Sequence, residues 1–360
     1  MKTYSNLFGK ITEWDNLLLA ARKASQGRRF EPSVARFHFR LETELLCLQQ
    51  ALQTKTYQPG SYTTFMVYDP KERMISAAPF RDRVVHHALC NVMEPIFEKT
   101  FIHDSFANRK GKGTHRAIER YQHYARRYHY VLKSDIRKFF PSLDHEILKQ
   151  EFRWKISCPD TLWLADLIVD NSNEQEPGAK VAHLEGVPLL SRRGLPIGNL
   201  TSQFWANVYL NRFDHFVKEE LGAAGYVRYV DDFVLFNNDK HELAQQREQI
   251  AGQLAELRIA PHPDKTHIHR TATGVPFLGF RIWPEYRIAR KERVRRFERH
   301  VRQQLRDKPI DTESMEQGLN SWLGHVRFGQ SQRLEYRVYW DMREAGVNVL
   351  THPRGSWRVL

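Results

Sequence analysis

Gly225-Tyr-Val-Arg-Tyr-Val-Asp-Asp-Phe-Val-Leu-Phe236 is the stretch on which the reading of this chain turns. Two β-prone runs, rich in aromatic and β-branched residues, are interrupted by the adjacent acids Asp231 and Asp232. Paired carboxylates repel unless they are solvated or bound to a cation, and Mg²⁺ is commonly held by one or two carboxylates together with substrate phosphates. Successive side chains of an extended chain point to opposite faces, so only one of the two acids faces a given site and its partner must come from elsewhere. The plainer alternative is an Asp-Asp turn with no further role, since Asp favours turns.

A partner is available in Tyr130-Val-Leu-Lys-Ser-Asp-Ile-Arg-Lys-Phe-Phe-Pro-Ser-Leu-Asp-His145, where a strand runs into an aromatic pair and then a helix. Asp135 closes the strand. Capping the helix is the competing role for an acid here, but Asp144 suits it better, directly preceding the helical pattern Glu146, Ile147, Leu148. That leaves Asp135 for a metal.

Working outward, residues 10–56 show helical spacing (Leu17, Leu18, Ala21; Leu41, Leu45, Leu48, Leu52) until Gln58-Pro59-Gly60 breaks it. Tyr62 to Tyr68 and Arg73 to Ser76 read as a hairpin around Asp69-Pro70. Helices are expected over 82–99, 114–127, 144–154, 202–220 and 240–257, and strands over 129–136, 226–236 and 277–283. Residues 101–113 read as a Gly- and Lys-rich loop, and 171–194 as an exposed connection. Helix returns at 287–306 and around 312–327. Strands and helices alternate without a regular βαβ rhythm, which indicates α+β.

The 360 residues allow two or three structural units. Lysine and arginine number 55 against 42 acids, a net charge of +13 that favours a polyanionic partner, while 41% hydrophobic and 12% aromatic residues exclude a disordered basic tail. Three scattered cysteines, Cys47, Cys90 and Cys158, exclude a disulfide framework or a Cys-x-x-Cys zinc site and suit a reducing compartment. His86-His87 and the pair His267 and His269 lack a third ligand at matching spacing, so no metal is assigned to them. The longest early apolar run, Leu17 to Ala21, is too short to span a bilayer, so a cytoplasmic protein without membrane contact is expected. Between Arg287 and Arg306, nine Arg or Lys against two Glu give +7, with Val294, Phe297, Val301 and Leu305 as an apolar stripe. Such a helix can pack one face and track a phosphate backbone with the other.

Tyr229-Val230-Asp231-Asp232 as a Tyr-x-Asp-Asp box, with Asp135 and Phe140 as the preceding acidic box, resembles the reverse transcriptases, and the resemblance covers about residues 1 to 330. It implies a right-hand polymerase with a Tyr-x-Asp-Asp palm hairpin: an N-terminal helical extension over 1–60, fingers over 61–128, palm with finger elements over 129–285, and thumb with C-terminal tail over 286–360. On that template Asp135 and Asp231 are ligands of two Mg²⁺ ions and Asp232 is a weaker third. One ion lowers the pKa of a primer 3′-hydroxyl and the other clamps the triphosphate of the incoming dNTP. Phe140, five residues after Asp135, resembles the family's steric gate against a 2′-hydroxyl, whereas Phe139 reads as a core aromatic. Arg73 to Arg83 and Ser105 to His115 resemble the fingers, with Lys71, Arg73 and Arg109 as candidate phosphate contacts. Lys265 matches a nucleotide-facing lysine, and Phe277-Leu-Gly-Phe280 the primer-gripping strands.

Gly194-Leu-Pro-Ile-Gly-Asn-Leu-Thr-Ser-Gln-Phe-Trp-Ala-Asn207 narrows the resemblance. Most reverse transcriptases carry Gln-Gly and then Ser-Pro here; Ile197-Gly198 and Ser202-Gln203 together resemble the enzymes of diversity-generating retroelements, bacterial or phage systems that copy a template RNA with errors at adenines. Ile197 and Gln203 thereby join the substrate-binding candidates. The implied partners are the template RNA, the primer or cDNA strand, dNTPs and a small basic helical accessory protein that is itself oligomeric. Defence-associated or retron-like reverse transcriptases, and an inert RNA-binding scaffold, are the alternatives. No RNase H or homing endonuclease segment is expected within the 360 residues.

Overall fold

The computed structural model describes residues 2–68, 72–173, 175, 192–306, 312–344, 346–351 and 355–359. Helices and strands are mixed, and the chain divides into two compact units. The first comprises Met1–Gly113, Ser134–Phe233 and Ala244–His267, the second Thr114–Lys133, Val234–Leu243 and Ile268–Leu360. A four-stranded sheet has the order Gly225–Tyr229, Asp232–Asn237, Tyr130–Asp135, His267–Arg270. Val230 and Asp231 link its first two strands. Within this sheet the ends carrying Asp135, Asp232 and His267 belong to the first unit.

In the first unit the helical lead-in resolves into Phe8–Thr12, Trp14–Ala24, Pro32–Phe39 and Leu41–Gln53. Of the residues expected at helical spacing, Leu17, Ala21, Leu45, Leu48 and Leu52 are buried, while Leu18 and Leu41 are only partly buried. The lead-in packs on the long helix Phe80–Glu98, where Asn16 Nδ2 donates to the carbonyl of Ala88 at 3.1 Å. Thr63–Val67 and Arg73–Ala77 pair antiparallel, with Thr63 opposite Ala77 and Val67 opposite Arg73. The expected continuous helix over 202–220 is instead Leu200–Tyr209, Asn211–His215 and a π-helical turn Phe216–Glu220. It breaks at Leu210 (φ −90°, ψ 4°), where inward-facing Asn207 and Asn211 bond to Ala107 and Thr100 rather than serving the helix. A helix over Pro159–Asp170 was not expected, although Pro159 and Asp160 are ordinary start signals. At the near end of the 171–194 connection, Ser172 and Gln175 are buried rather than exposed.

Asp144 caps the helix His145–Lys155, accepting from the amides of Glu146 at 3.0 Å and Ile147 at 3.3 Å. Its carboxylate is fully buried and also receives Arg258 Nη1 at 2.8 Å. Asp144→Ala is expected to lower stability by about 2–4 kcal/mol, combining a lost cap with the loss of the buried carboxylate that Arg258 and Arg193 both face. A shift of the urea midpoint at unchanged m-value measures it, and a loss below about 0.5 kcal/mol would contradict it.

In the second unit the helix Thr114–Ala125 buries Tyr121, whose ring lies 5.2 Å from Phe277 and 4.9 Å from Phe236. The single strand expected over 277–283 is two short ones, Val275–Phe277 and Phe280–Ile282, reversed at Leu278 (φ 46°) and Gly279 (φ 92°). Residues 287–289 are likewise strand rather than helix: Phe280 pairs with Ala289, and the basic helix begins at Lys291. On that helix, Lys291–Arg306, Val294 and Val301 are buried and Phe297 stacks on Trp322 at 4.2 Å and 6°. The Leu305 side chain lies outside the described residues. Val301 joins a core with Met315, Leu319, Leu323, Val338 and Met342. Arg295, Arg299, Arg302 and Arg306 recur at i, i+4, i+7 and i+11 and are all exposed, forming a basic stripe. No described helix is long and apolar enough to cross a membrane.

Candidate active site

Three segments of the first unit converge through their backbones. The amide of Ile136 donates to the carbonyl of Asp231 at 3.1 Å, and the amide of His262 to the carbonyl of Asp135 at 2.7 Å. The amide of Arg137 adds a bond to Ala260 at 2.9 Å. The strand end bearing Asp135, the Val230–Asp231 link and the turn Pro263–Lys265 are thus brought together by main-chain contacts before any side chain is considered. That turn is a short 3₁₀ helix whose entry is capped by His262 Nδ1, which accepts from the amide of Asp264 at 3.2 Å.

Lys265 Nζ lies 2.7 Å from Asp135 Oδ1, with the carboxylate 15% exposed. Burial raises the Asp231 pKa, and the charge of Asp135 raises it further; the charges of Lys265 and Arg73 act in the opposite direction. Asp135, Asp231, Lys265 and Arg73 therefore share one electrostatic environment. Two carboxylates in mutual repulsion, with hard oxygen donors and only partial compensation from an ammonium and a guanidinium, are a donor set that fits a divalent cation. Asp135 and Asp231 are the residues that would hold it. Among the described residues, no group of three or more His, Cys, Asp or Glu is gathered as a metal site. Asp232 is half-buried at the start of its strand.

The aromatic pair after Asp135 divides. Phe139 is 2% exposed and belongs to the core, while Phe140 is only partly buried, the two rings 5.5 Å apart. Lys138 before them adopts φ 47°, turning the chain into a four-residue helix. Ile197 is partly exposed. Its amide donates to Gln175 Oε1 at 3.1 Å, and its carbonyl accepts from the amide of Ser76 at 2.9 Å. Gln203 is exposed on the helix Leu200–Tyr209, and Arg73 is exposed at the start of its strand.

Arg109 is placed differently from its expected role at phosphate. Its side chain is 5% exposed and forks onto Glu98, with Nε 3.0 Å from both carboxylate oxygens. Nη1 donates to the carbonyls of Ile102 and Ser105 at 2.6 and 2.7 Å. Its hydrogen-bonding capacity is spent inside the protein, so Arg109 shapes the 101–113 loop rather than meeting a ligand. Lys71, the remaining phosphate candidate, lies outside the described residues. His86 and His87 are kept neutral, with pKa values lowered to about 3 and about 4 chiefly by burial.

Sequence reasoning passed over what lies beneath the Val230–Asp231 link. Arg228 and Asp214 are both fully buried and paired, and Arg228 Nη1 donates to the carbonyl of Val230 at 3.0 Å. The available signal was an arginine inside an otherwise apolar strand, since a charge at such a position needs a buried partner. Gln175 was passed over too, because it lies in a polar stretch with no periodicity.

Residues 68–282 match the family model described as reverse transcriptase (RNA-dependent DNA polymerase). Protein YkfC of Escherichia coli (strain K12) is 27% identical over 286 residues, an alignment covering 68% of this chain and 72% of that protein.

Proposed function

Since the chain belongs to the reverse transcriptase (RNA-dependent DNA polymerase) family and is an RNA-directed DNA polymerase, we propose that Asp135, Asp231 and Lys265 form its polymerisation centre and that it copies the template RNA of a diversity-generating retroelement. The observation carrying the site assignment is the coupling of Asp135 with Asp231, with Lys265 on Asp135 at 2.7 Å. Bound there, two Mg²⁺ ions would activate the primer 3′-hydroxyl and stabilise the charge on the leaving pyrophosphate. The chain's own residues bind and orient: Lys265 and Arg73 supply positive charge toward the triphosphate, and Phe140 presents an aromatic face to the sugar. In this reading residues 1–60 are an N-terminal extension, 61–128 the fingers, 129–285 the palm and 286–360 the thumb. The exposed arginine stripe of Lys291–Arg306 then lies along the template-primer duplex.

The retroelement assignment is supported by Ile197-Gly198 and Ser202-Gln203. An isoleucine side chain makes no hydrogen bond near the nascent base pair, whereas a glutamine can penalise misaligned geometry. The partners are then the element's template RNA and a small, basic, oligomeric helical accessory protein. Extension of a DNA primer on RNA with Mg²⁺ and dNTPs, followed by sequencing of the product, tests the proposal: synthesis with errors concentrated opposite adenine is expected, and uniform errors with the accessory protein present would redirect it to a defence-associated or retron-like enzyme. Ile197→Gln is expected to lower adenine-directed errors by about 2- to 13-fold, the equivalent of one hydrogen bond of ~0.5–1.5 kcal/mol. Because residue 197 is held by its main chain, the substitution should leave the loop in place. An unchanged error spectrum in an active variant would clear this position of any part in fidelity.

A further inference from the structure

Arg228 and Asp214 form a fully buried ion pair, with Nε to Oδ1 at 2.7 Å and Nη2 to Oδ2 at 2.6 Å. The Tyr226 hydroxyl donates to Asp214 Oδ1 at 2.8 Å, and Arg228 Nη1 reaches Asn207 Oδ1 at 3.2 Å. Burying two charges contributes little net stability, and a well-packed apolar pair commonly serves as well, so the pair calls for another reason. Nη1 also donates to the carbonyl of Val230, and Val230 has φ 58°, a region that strains a β-branched residue. On the other side of Asp231, its own carbonyl is held by the amide of Ile136. With the carbonyls flanking the Asp231 Cα both fixed, the direction of its Cβ is fixed as well.

We propose that Arg228, braced by Asp214, is a positioning residue that holds the strained Val230–Asp231 peptide and thereby aims the Asp231 carboxylate at Asp135. This rests on the assignment of Asp231 to the polymerisation centre. Such strain persists only where surrounding structure over-determines it, and the fork onto Asp214 is what makes the arginine rigid enough to do so.

The test replaces both charges together, Arg228→Met with Asp214→Leu, so that neither is left unpaired, and uses Mn²⁺ as the probe. In the absence of nucleotide, Mn²⁺ affinity by electron paramagnetic resonance is expected to fall about tenfold, while RNA affinity stays within about twofold. Hydrogen exchange in the peptide containing residues 229–233 should quicken. Adding Val230→Gly, which adopts φ 58° without strain, should recover part of the lost Mn²⁺ affinity. Arg228→Lys serves if the double variant does not fold: an ammonium cannot fork onto Asp214 and reach Val230 together, so the same loss and the same recovery by glycine are expected. Mn²⁺ affinity within twofold of the parent in a folded variant, or no recovery with glycine, would overturn the proposal. So would residues 229–233 of the unmodified chain exchanging faster than Gly225–Tyr229. Asp231→Asn separates the two readings. If it leaves Mn²⁺ affinity and synthesis intact, the site assignment itself fails; if it removes both while the Arg228 variants change nothing, only the positioning role fails.

Discussion

Asp231→Asn is expected to lower RNA-templated primer extension by at least about 10³-fold, some 4 kcal/mol of transition-state stabilisation, with RNA affinity within about twofold of the parent. The amide preserves the shape of the side chain and forfeits its charge. Because burial and Asp135 raise the Asp231 pKa in the folded chain, the ionised carboxylate is less comfortable there than in the unfolded chain. Removing its charge should therefore leave the melting temperature unchanged or higher. Greater stability with lost activity is the signature of a site whose charges are kept for chemistry rather than for folding. Primer extension, RNA affinity and thermal melting on one preparation make the check, and appreciable synthesis by the pure variant would remove Asp231 from the catalytic set.

Phe140→Ala is expected to reduce discrimination against ribonucleotides by about tenfold or more, ~1.4 kcal/mol, because truncation opens room beneath the sugar. The neighbouring ring supplies the contrast. Phe139 is almost wholly buried, so Phe139→Ala should lower stability by about 3–5 kcal/mol without a selective change in sugar preference. Incorporation rates for dNTP and NTP with both variants decide the matter. A Phe140→Ala ratio within twofold of the parent would make Phe140 another core aromatic.

Local chemistry was the most legible part of the sequence. Asp144 announces itself as a cap because everything it needs, two free amides and a helical pattern, lies within three residues. Helical spacing likewise exposed the buried stripe of Leu45, Leu48 and Leu52. Asp135 and Asp231 were legible as motifs, although their coupling depends on a fold that no window of sequence contains. Arg109 was misread for the complementary reason: a cation in a Gly- and Lys-rich loop looks available, and nothing local reveals that Glu98 and two carbonyls close around it. The reversal at Leu278 was hidden because leucine rarely adopts positive φ, so only Gly279 hinted at a turn between two apolar runs. Arg228 was visible as an anomaly, but its partner Asp214 sits on a helix whose own pattern gave no reason to turn an acid inward.

The stitching of Asp135 to Lys265 spans 130 positions of chain, with the Val230–Asp231 link between them in sequence. Contacts this remote form slowly, since a long loop must close before any of them is rewarded. In the proposed reading the polymerisation centre therefore stays incomplete during synthesis until Lys265 has cleared the ribosome.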